Sequence, residues 1–387
     1  MELSVIIVNY QVPVFLEQCI ITVKRAMQQL SGEIIVVDNA SADNSIEYVN
    51  SLFPDVRFIR SDENIGFARA NNLGLSCARG RYVLFLNPDT LVPENTLIHC
   101  VTFLQQHYSC GAVGVRMING FGNYLPESKR ARPTLINTVL KLTGAATLFP
   151  KSGFFNQYAL GHLPVHEQHP VDVLAGAFMM VRKNILDELQ GFDTDFFMYG
   201  EDIDLSIRIK QLGHQVFYLG DIAIIHYKGQ SSSNRLQKQN HIFYKAMRLF
   251  VHKHYSVGWL FTPFIFLVQW MAAFRKWLFP SHSVLFILNR KETAFIVANM
   301  ASYKQVLDLL KRRSQEGIIK GYISVTETHT IQTSQLKDLS VLCLQQQIKQ
   351  LLICVPDLSL QEAIQIMQRQ KGLFFRFVFS GSESLPF

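Results

Sequence analysis

The chain of 387 residues carries six cysteines, none in a Cys-x-x-Cys pair and none with His partners at zinc spacing. Cys19, Cys77, Cys100, Cys110, Cys343 and Cys354 therefore read as reduced thiols of a cytosolic protein, not as a disulfide framework or a zinc site. No Gly-x-Gly-x-x-Gly and no Walker pattern occurs, so a nucleotide would not be held in a glycine-rich cradle. There is no RNP-like or helix-turn-helix pattern, and Lys and Arg are scattered, which makes nucleic acid the weakest partner class. The net charge of +7 still favours anionic partners. Met1-Glu2-Leu3 runs straight into an apolar stretch with no basic leader and no cleavage site, which argues against secretion. Only 17% of residues are charged and 48% are hydrophobic, which excludes disorder; the length allows two or three domains.

What is present first is a strand–helix alternation. Val5–Val8 and Ile34–Val37 are continuous apolar runs, as expected of strands buried on both faces of a parallel sheet; Val56–Ile59 reads as a third, short strand and Tyr82–Leu86 as a fourth. Helices are expected over about Val14–Leu30, Arg69–Ala78 and Glu94–Gln106, with a further strand at Ala112–Val115. This predicts a doubly wound α/β domain whose ligand edge is the carboxyl end of the strands. Asp38, Asn64, Gly66 and Asp89 follow strands and so converge on that edge although far apart in sequence.

The densest chemistry lies in Gly191–Leu205, where Asp193, Asp195, Glu201, Asp202 and Asp204 are interleaved with aromatics. Apolar residues resume at Ile203 and Leu205 and Gly213 closes the segment, so Glu201, Asp202 and Asp204 open a helix. Acids in a first turn can simply complement the helix dipole. A carboxylate between aromatic packing and an open pocket is equally how a general base is built.

Val-Ile-Ile-Val-Asn-Tyr, Val-Val-Asp-Asn-Ala-Ser, Asn-Ile-Gly-Phe-Ala-Arg-Ala-Asn-Asn, Phe-Leu-Asn-Pro-Asp-Thr and Tyr-Gly-Glu-Asp-Ile-Asp-Leu resemble the family 2 glycosyltransferases of GT-A fold. The likeness is greatest to the bacterial rhamnosyltransferase branch and runs to about Gln230. It implies a nucleotide-diphosphate sugar donor, with Asp38 on the base or ribose and Asn64, Gly66 and Asn71 beside it. Asn9, Asn87 and Asp89 complete the implied donor site. It implies Mg²⁺ or Mn²⁺ bridging the diphosphate at Asp89, with His226 as a further metal ligand. Asn87-Pro88-Asp89 stands where the wider family has Asp-x-Asp, so the protein's own hold on a metal should be weaker and substrate phosphates should supply more of the charge. Asp202 is the implied base, Glu201 orients it or touches the acceptor, and Asp204 serves the helix terminus. The implied activity is inverting, metal-dependent transfer of rhamnose or another hexose to a cell-surface glycan or lipid-linked acceptor. A nucleotidyltransferase would want a glycine-rich basic loop that Val8-Asn9-Tyr10-Gln11 does not provide, and a catalytically inactive assembly protein would predict damage among these acids.

Between Gly120 and about Pro170 periodicity fails, and the resemblance makes this the acceptor region. Lys129, Arg130 and Arg132 read as a solvated loop, with contact to a phosphate-bearing acceptor as the alternative; His162, His166 and His169 lack a common helical face for a metal. Val173–Val181 reads as a buried strand, and Gln215–Leu219 and Ile222–Ile225 as two short ones. Asn234–His254 reads as a basic helix. The uncharged run Tyr255–Phe274 follows, with Trp259, Phe266, Trp270 and Trp277 near one helical line, which predicts an in-plane or re-entrant membrane helix. The expected location is peripheral or monotopic at the inner face of the cell membrane. From Ser283 the alternation restarts, with strands expected at Val284–Leu288, Ile318–Ser324, Leu351–Val355 and Phe374–Phe379 and a capping box at Ser359–Glu362. This part resembles the Rossmann-like domain of bacterial sugar-phosphate transferases, and a scaffold or docking role is expected of it. The expected division is 1–233 transferase, 234–280 helical linker and 281–387 Rossmann-like domain.

Overall fold

The computed structural model describes residues 1–43, 45–134, 156–228, 236–255, 293–312, 319–325, 348–355, 357–370 and 372–379, with single positions at 137, 149, 152–154 and 343. The apolar run beyond Tyr255, the expected strand at 284–288 and the turn after it lie outside the described residues. Among the described residues, no helix is long and apolar enough to cross a membrane.

The larger sheet has nine strands. In chain order the elements are β1 (Leu3–Asn9), α1 (Pro13–Ala26), β2 (Gly32–Asn39), α2 (Ser45–Leu52), β3 (Arg57–Ser61), α3 (Phe67–Leu75), β4 (Tyr82–Leu86), β5 (Thr90–Leu91), α4 (Thr96–Gln106), β6 (Cys110–Ile118), β7 (Gln168–Val171), β8 (Phe178–Arg182), α5 (Lys183–Leu189), α6 (Glu201–Gln211), β9 (Gln215–His226) and α7 (Leu236–His254). The strand order is β3-β2-β1-β4-β8-β6-β9-β5, with β7 also on β9. Strands β3, β2, β1 and β4 are mutually parallel, β8 runs antiparallel between β4 and β6, and β9 is parallel to β6. Two reversals restore direction, so β9 ends on the same edge as β1, β2 and β4.

The sequence explains these elements. β1, β4 and β6 are buried along their whole length, as strands covered on both faces must be. α1 starts on Pro13, which has no N–H to leave unpaired in a first turn, and buries Leu16, Cys19, Ile20 and Val23 on one stripe. α6 ends in a Schellman motif: Gly213, at φ +87°, donates to Lys210 O at 3.0 Å and His214 donates to Ile209 O at 3.3 Å.

Two strand expectations change. The run Val173–Val181 is strand only from Phe178, because Arg130 bridges Val173 and Phe178 N–H turns back to Ala175 O, leaving Ala175-Gly176-Ala177 as irregular backbone at the sheet edge. The two short strands near 220 are one, β9, broken by a bulge: Val115 pairs with Leu219 and Arg116 with Ala223. Gly220 turns that bulge because any Cβ would sit 2.4 Å from Glu167 O.

A second, four-stranded parallel sheet is formed by β10 (Ala294–Ala298), β11 (Ile319–Ser324), β12 (Gln350–Val355) and β13 (Phe374–Phe379) in the order β11-β10-β12-β13, with helices α8 (Met300–Arg312) and α9 (Leu360–Arg369). The Ser359–Glu362 capping box at the start of α9 is formed. Its core is continuous with the larger sheet: Leu91, Ile118, Ile225 and Tyr227 pack in one cluster with Phe295, Ile353, Phe375 and Phe377.

Candidate active site

Asn9, Asp38, Asn87 and His226 stand at or just past the carboxyl ends of β1, β2, β4 and β9, on one edge. Asn9 faces Asp38 in register, and its Nδ2 donates to Asp38 Oδ1 at 2.9 Å. Ser41 donates to the same carboxylate from its hydroxyl, at 2.5 Å, and its N–H, at 3.1 Å. Asp38 is thus a fixed acceptor, with Asn9 buried behind it as its orienting group. On the neighbouring loop Asn39 accepts from Ile65 N–H at 2.9 Å, and Asn64 Oδ1 accepts from Asn39 Nδ2 and Gly66 N–H. Gly66, at φ +83°, has no room for a Cβ, which would lie 2.4 Å from Phe197 O.

Asn71 takes no part in this. It is buried and donates to Phe67 O within its own helix. Its neighbour Asn72, the last residue of the segment that the resemblance sets beside the donor, reaches across instead: Nδ2 donates to Phe192 O at 2.7 Å and Oδ1 accepts from Phe192 N–H at 2.9 Å. Adjacent amides in one helix differ by about 100° in direction, a difference that composition does not display.

Asp89 and His226 meet through the β5–β9 pairing, Thr90 opposite His226, with Tyr227 N–H donating to Asp89 O at 2.9 Å. His226 Nε2 lies 3.3 Å from Asp89 Oδ1 and 3.5 Å from Asn87 Nδ2, and both side chains of the acid–imidazole pair are almost fully buried. His226 Nδ1 is buried with no partner among the described residues. An oxygen and an imidazole nitrogen 3.3 Å apart suit a shared divalent ion, each at about 2.0–2.2 Å from it. The ring nitrogen that would meet such an ion is Nε2, which faces Asp89, and not the unpartnered Nδ1. No cluster of three or more His, Cys, Asp or Glu side chains able to hold a metal occurs among the described residues, so phosphate and water would complete the coordination.

The acidic helix start lies one backbone step away. Asp202 Oδ2 accepts Gly176 N–H at 3.0 Å, and the next residue, Ala177, accepts Asn87 N–H on its carbonyl at 3.0 Å. The Ala175-Gly176-Ala177 backbone therefore separates Asp202 from Asn87–Asp89, and a Cβ at Gly176 would lie 3.3 Å from Asp202 Cβ. Asp202 Oδ2 also accepts Arg130 Nη2 at 2.7 Å. Glu201 is buried, with Oε2 unpartnered among the described residues; burial, reinforced by the charge of Asp202, pushes its carboxyl up to about 8. Two adjacent carboxyl groups are thus placed in opposite environments, one ion-paired and one kept protonated at neutral pH.

Two further readings change with the geometry. Asp204 does more than complement a helix end: it is buried, pairs with Arg208 Nε at 2.7 Å and meets His254 Nε2 at 2.8 Å, fastening α7 to α6. The basic loop is not solvated. Lys129 Nζ donates to Leu160 O and Leu163 O, Arg130 pairs with Asp202, and Arg132 donates to His254 O at 3.1 Å. His169 Nε2 lies 3.1 Å from Pro164 O, in a local turn.

The sequence profile described as Glycosyl transferase family 2 matches residues 4–189. The chain carries a family 2 glycosyltransferase domain. The mixed sheet is its GT-A fold, and the protein is a glycosyltransferase. It is 24% identical over 300 residues to the N-acetylglucosaminyl-diphospho-decaprenol L-rhamnosyltransferase of Mycobacterium tuberculosis, covering 75% of this chain and 96% of that one. It is 26% identical over 171 residues to the rhamnosyltransferase WbbL of Escherichia coli, covering 42% and 61%. Among solved structures, Staphylococcus aureus TarS aligns at 19% identity with a TM-score of 0.45 over 65% of this chain and 39% of that one, a likeness too distant to bear on ligands.

Proposed function

We propose that this glycosyltransferase moves a hexose, rhamnose being the first candidate, from a nucleotide-diphosphate donor to a lipid-linked glycan acceptor by a single inverting displacement. The observation that carries this reading is the short backbone bridge from Asp202, across Gly176 and Ala177, to the Asn87–Asp89 turn beside His226. It supports reading Asp202 as a proton acceptor beside the departing diphosphate. The acceptor class is taken from the decaprenol-linked substrate in the name of the mycobacterial relative. A lipid-borne acceptor fits a protein working at the inner face of a membrane.

In the proposed reaction Asp38 and the Asn64–Gly66 loop hold the nucleoside. Asp89 and His226 would hold Mg²⁺ or Mn²⁺, which when bound supplies Lewis-acid stabilisation to the leaving diphosphate. Asp202 takes the proton of the acceptor hydroxyl as that oxygen bonds to the anomeric carbon and the C–O bond to the diphosphate breaks. The diphosphate leaves with the bonding electrons, and Asp202 then returns its proton to solvent.

The test is nucleoside-diphosphate release from a panel of UDP-, dTDP- and GDP-hexoses with an N-acetylglucosaminyl-diphospho-lipid acceptor and Mn²⁺. Asp202→Asn is expected to bind nucleoside diphosphate normally and to lose about 10²–10⁴ in turnover. Chelation with EDTA is expected to stop release, and added Mn²⁺ or Mg²⁺ to restore it. Wild-type turnover by Asp202→Asn would refute the base assignment, and EDTA-resistant release would refute the metal.

A further inference from the structure

We propose that Arg130 is a positioning residue that aims the Asp202 carboxylate and ties it to the segment entering the acceptor region. The inference rests on Asp202 acting as the base.

Arg130 is anchored before it reaches the carboxylate. Its N–H donates to Val173 O at 3.1 Å and its carbonyl accepts Val173 N–H at 3.0 Å, an isolated antiparallel bridge. Its Nη2 is 2.5 Å from Leu174 O and 2.7 Å from Asp202 Oδ2. The side chains of the pair are 12% and 15% exposed, so this is not a solvent-screened surface contact. Asp202 is held from two other directions, by Gly176 N–H on Oδ2 and by Ile203 N–H at 2.8 Å on Oδ1. The charged and titratable groups around it are Glu201 and Asp204 on its own helix, Arg130 from the facing segment, and Tyr158, which hydrogen-bonds Arg130. Arg130 is the one cation in an ion pair with Asp202 among the described residues, since Lys129 is spent on Leu160 and Leu163 carbonyls and Arg132 on the end of α7.

Two effects oppose each other here. A neighbouring guanidinium favours the ionised carboxylate and so makes it a weaker base. It also fixes the oxygen that must meet the acceptor proton, and a misplacement of about 1 Å can cost about 10² in rate. The resting protein favours the second effect: the carboxylate is oriented by three donors before acceptor arrives, and Arg130 is continuous in chain with the segment from Ala131, whose N–H is held by Tyr158 O at 2.8 Å. The arrangement couples the order of the acceptor segment to the aim of the base.

The experiment uses the full chain, the active nucleotide sugar from the panel above with Mn²⁺ and the diphospho-lipid acceptor, and calorimetric binding of the matching nucleoside diphosphate. Arg130→Ala is expected to lower kcat about 10²-fold, to leave the nucleoside-diphosphate Kd within twofold, and to regain at least a tenth of the lost rate in millimolar guanidinium or ethylguanidinium. Arg130→Lys is expected to fall between. If Arg130→Ala fails to fold, Arg130→Lys decides: lowered kcat at unchanged Kd supports the proposal, and unchanged kcat overturns it. Wild-type kcat in Arg130→Ala, or a loss that guanidinium does not relieve in a folded variant, overturns it too. Asp202→Asn run in parallel separates the two readings, because activity in that variant removes the base itself, whereas an inactive Asp202→Asn beside a fully active Arg130→Ala removes only the role of Arg130.

Discussion

At the scale of single residues, the informative group is Glu201, a carboxyl with a buried oxygen that has no partner among the described residues. Burial without a hydrogen bond costs least when the group is neutral, and the adjacent Asp202 charge pushes in the same direction. The folded protein therefore keeps a proton that the unfolded chain gives up. Its carboxyl rises from 4.5 to about 8, so the stabilisation is complete below about pH 4.5 and is lost as pH climbs through about 8. Glu201→Gln has nearly the same shape and cannot ionise. Its melting temperature is expected to gain on the wild type steadily from about pH 5 to about pH 9, with turnover at neutral pH largely kept. Parallel melting curves across that range, or a collapse of turnover in Glu201→Gln, would mean that the carboxyl is charged in the working protein.

At the scale of elements, the contact that matters joins the donor loop and helix α3 to the loop carrying the acids. Phe67 N–H donates to Phe197 O at 2.7 Å, and Asn72 closes two hydrogen bonds on Phe192. Gly66 and Gly191 both adopt positive φ, at +83° and +73°, and a Cβ on either would lie 2.4 Å from its neighbour, Phe197 O and Asn72 Oδ1 respectively. Gly66→Ala puts a side chain into an extended, positive-φ conformation (φ 83°, ψ 172°) that is essentially glycine's alone, at about 1–3 kcal/mol, and adds a backbone clash, so it is expected to separate the two loops. The measurable result is a lower kcat together with a weaker nucleoside-diphosphate Kd, whereas Asn72→Ala, which leaves the donor loop intact, should lower kcat with Kd nearly unchanged. Equal effects of the two variants on Kd would show that the loops do not act as separate parts. This clamp also marks where sequence stops being legible. Strands β1, β2 and β4 of the parallel half are readable because their apolar runs are unbroken and lead into Asn or Asp. Asn72, Arg130 and Lys129 are not, because their partners are carbonyls and a carboxylate 31 to 120 residues away, and no local period encodes such distances. Val173–Val181 misleads for the opposite reason: it is apolar throughout, yet its first half is bent by contacts with Arg130 and Asn87 that leave no mark on hydropathy. Strand β10 has no counterpart in the sequence reading, while the capping box that starts four residues past the end of β12 does, because caps are written in adjacent residues and strand pairing is not.

At the scale of the molecule, the second sheet is joined to the place where Asp89 and His226 meet. Tyr227, the residue after His226, donates its N–H to Asp89 O and its hydroxyl to Phe375 O at 3.2 Å. Its ring packs on Phe15 and Phe374, with centroids at 5.4 and 5.9 Å. Phe375 N–H returns to Gly120 O at 2.8 Å, and Gln18 of α1 donates to Phe377 O at 3.0 Å. β13 is thus held at Phe375 and Phe377 by one main-chain bond, to Gly120, and by the side chains of Tyr227 and Gln18, and an aromatic layer sits beside them. Phe374 belongs to the second sheet and touches the Tyr227 ring, whereas Tyr227 itself is bonded to Asp89 through the backbone. Phe374→Ala should cost about 3–5 kcal/mol, the usual range for emptying a buried phenylalanine site, and lower the melting temperature accordingly. It should also loosen Tyr227 and hence the 3.3 Å spacing of Asp89 and His226, so that half-maximal activity requires more Mn²⁺ while the nucleoside-diphosphate Kd measured without metal stays the same. Tyr227→Phe keeps the ring and loses only the bond to Phe375 O, worth about 1 kcal/mol, and should shift the Mn²⁺ requirement little. If Phe374→Ala melts lower but titrates with Mn²⁺ as the wild type does, the second sheet stabilises the transferase without tuning its site.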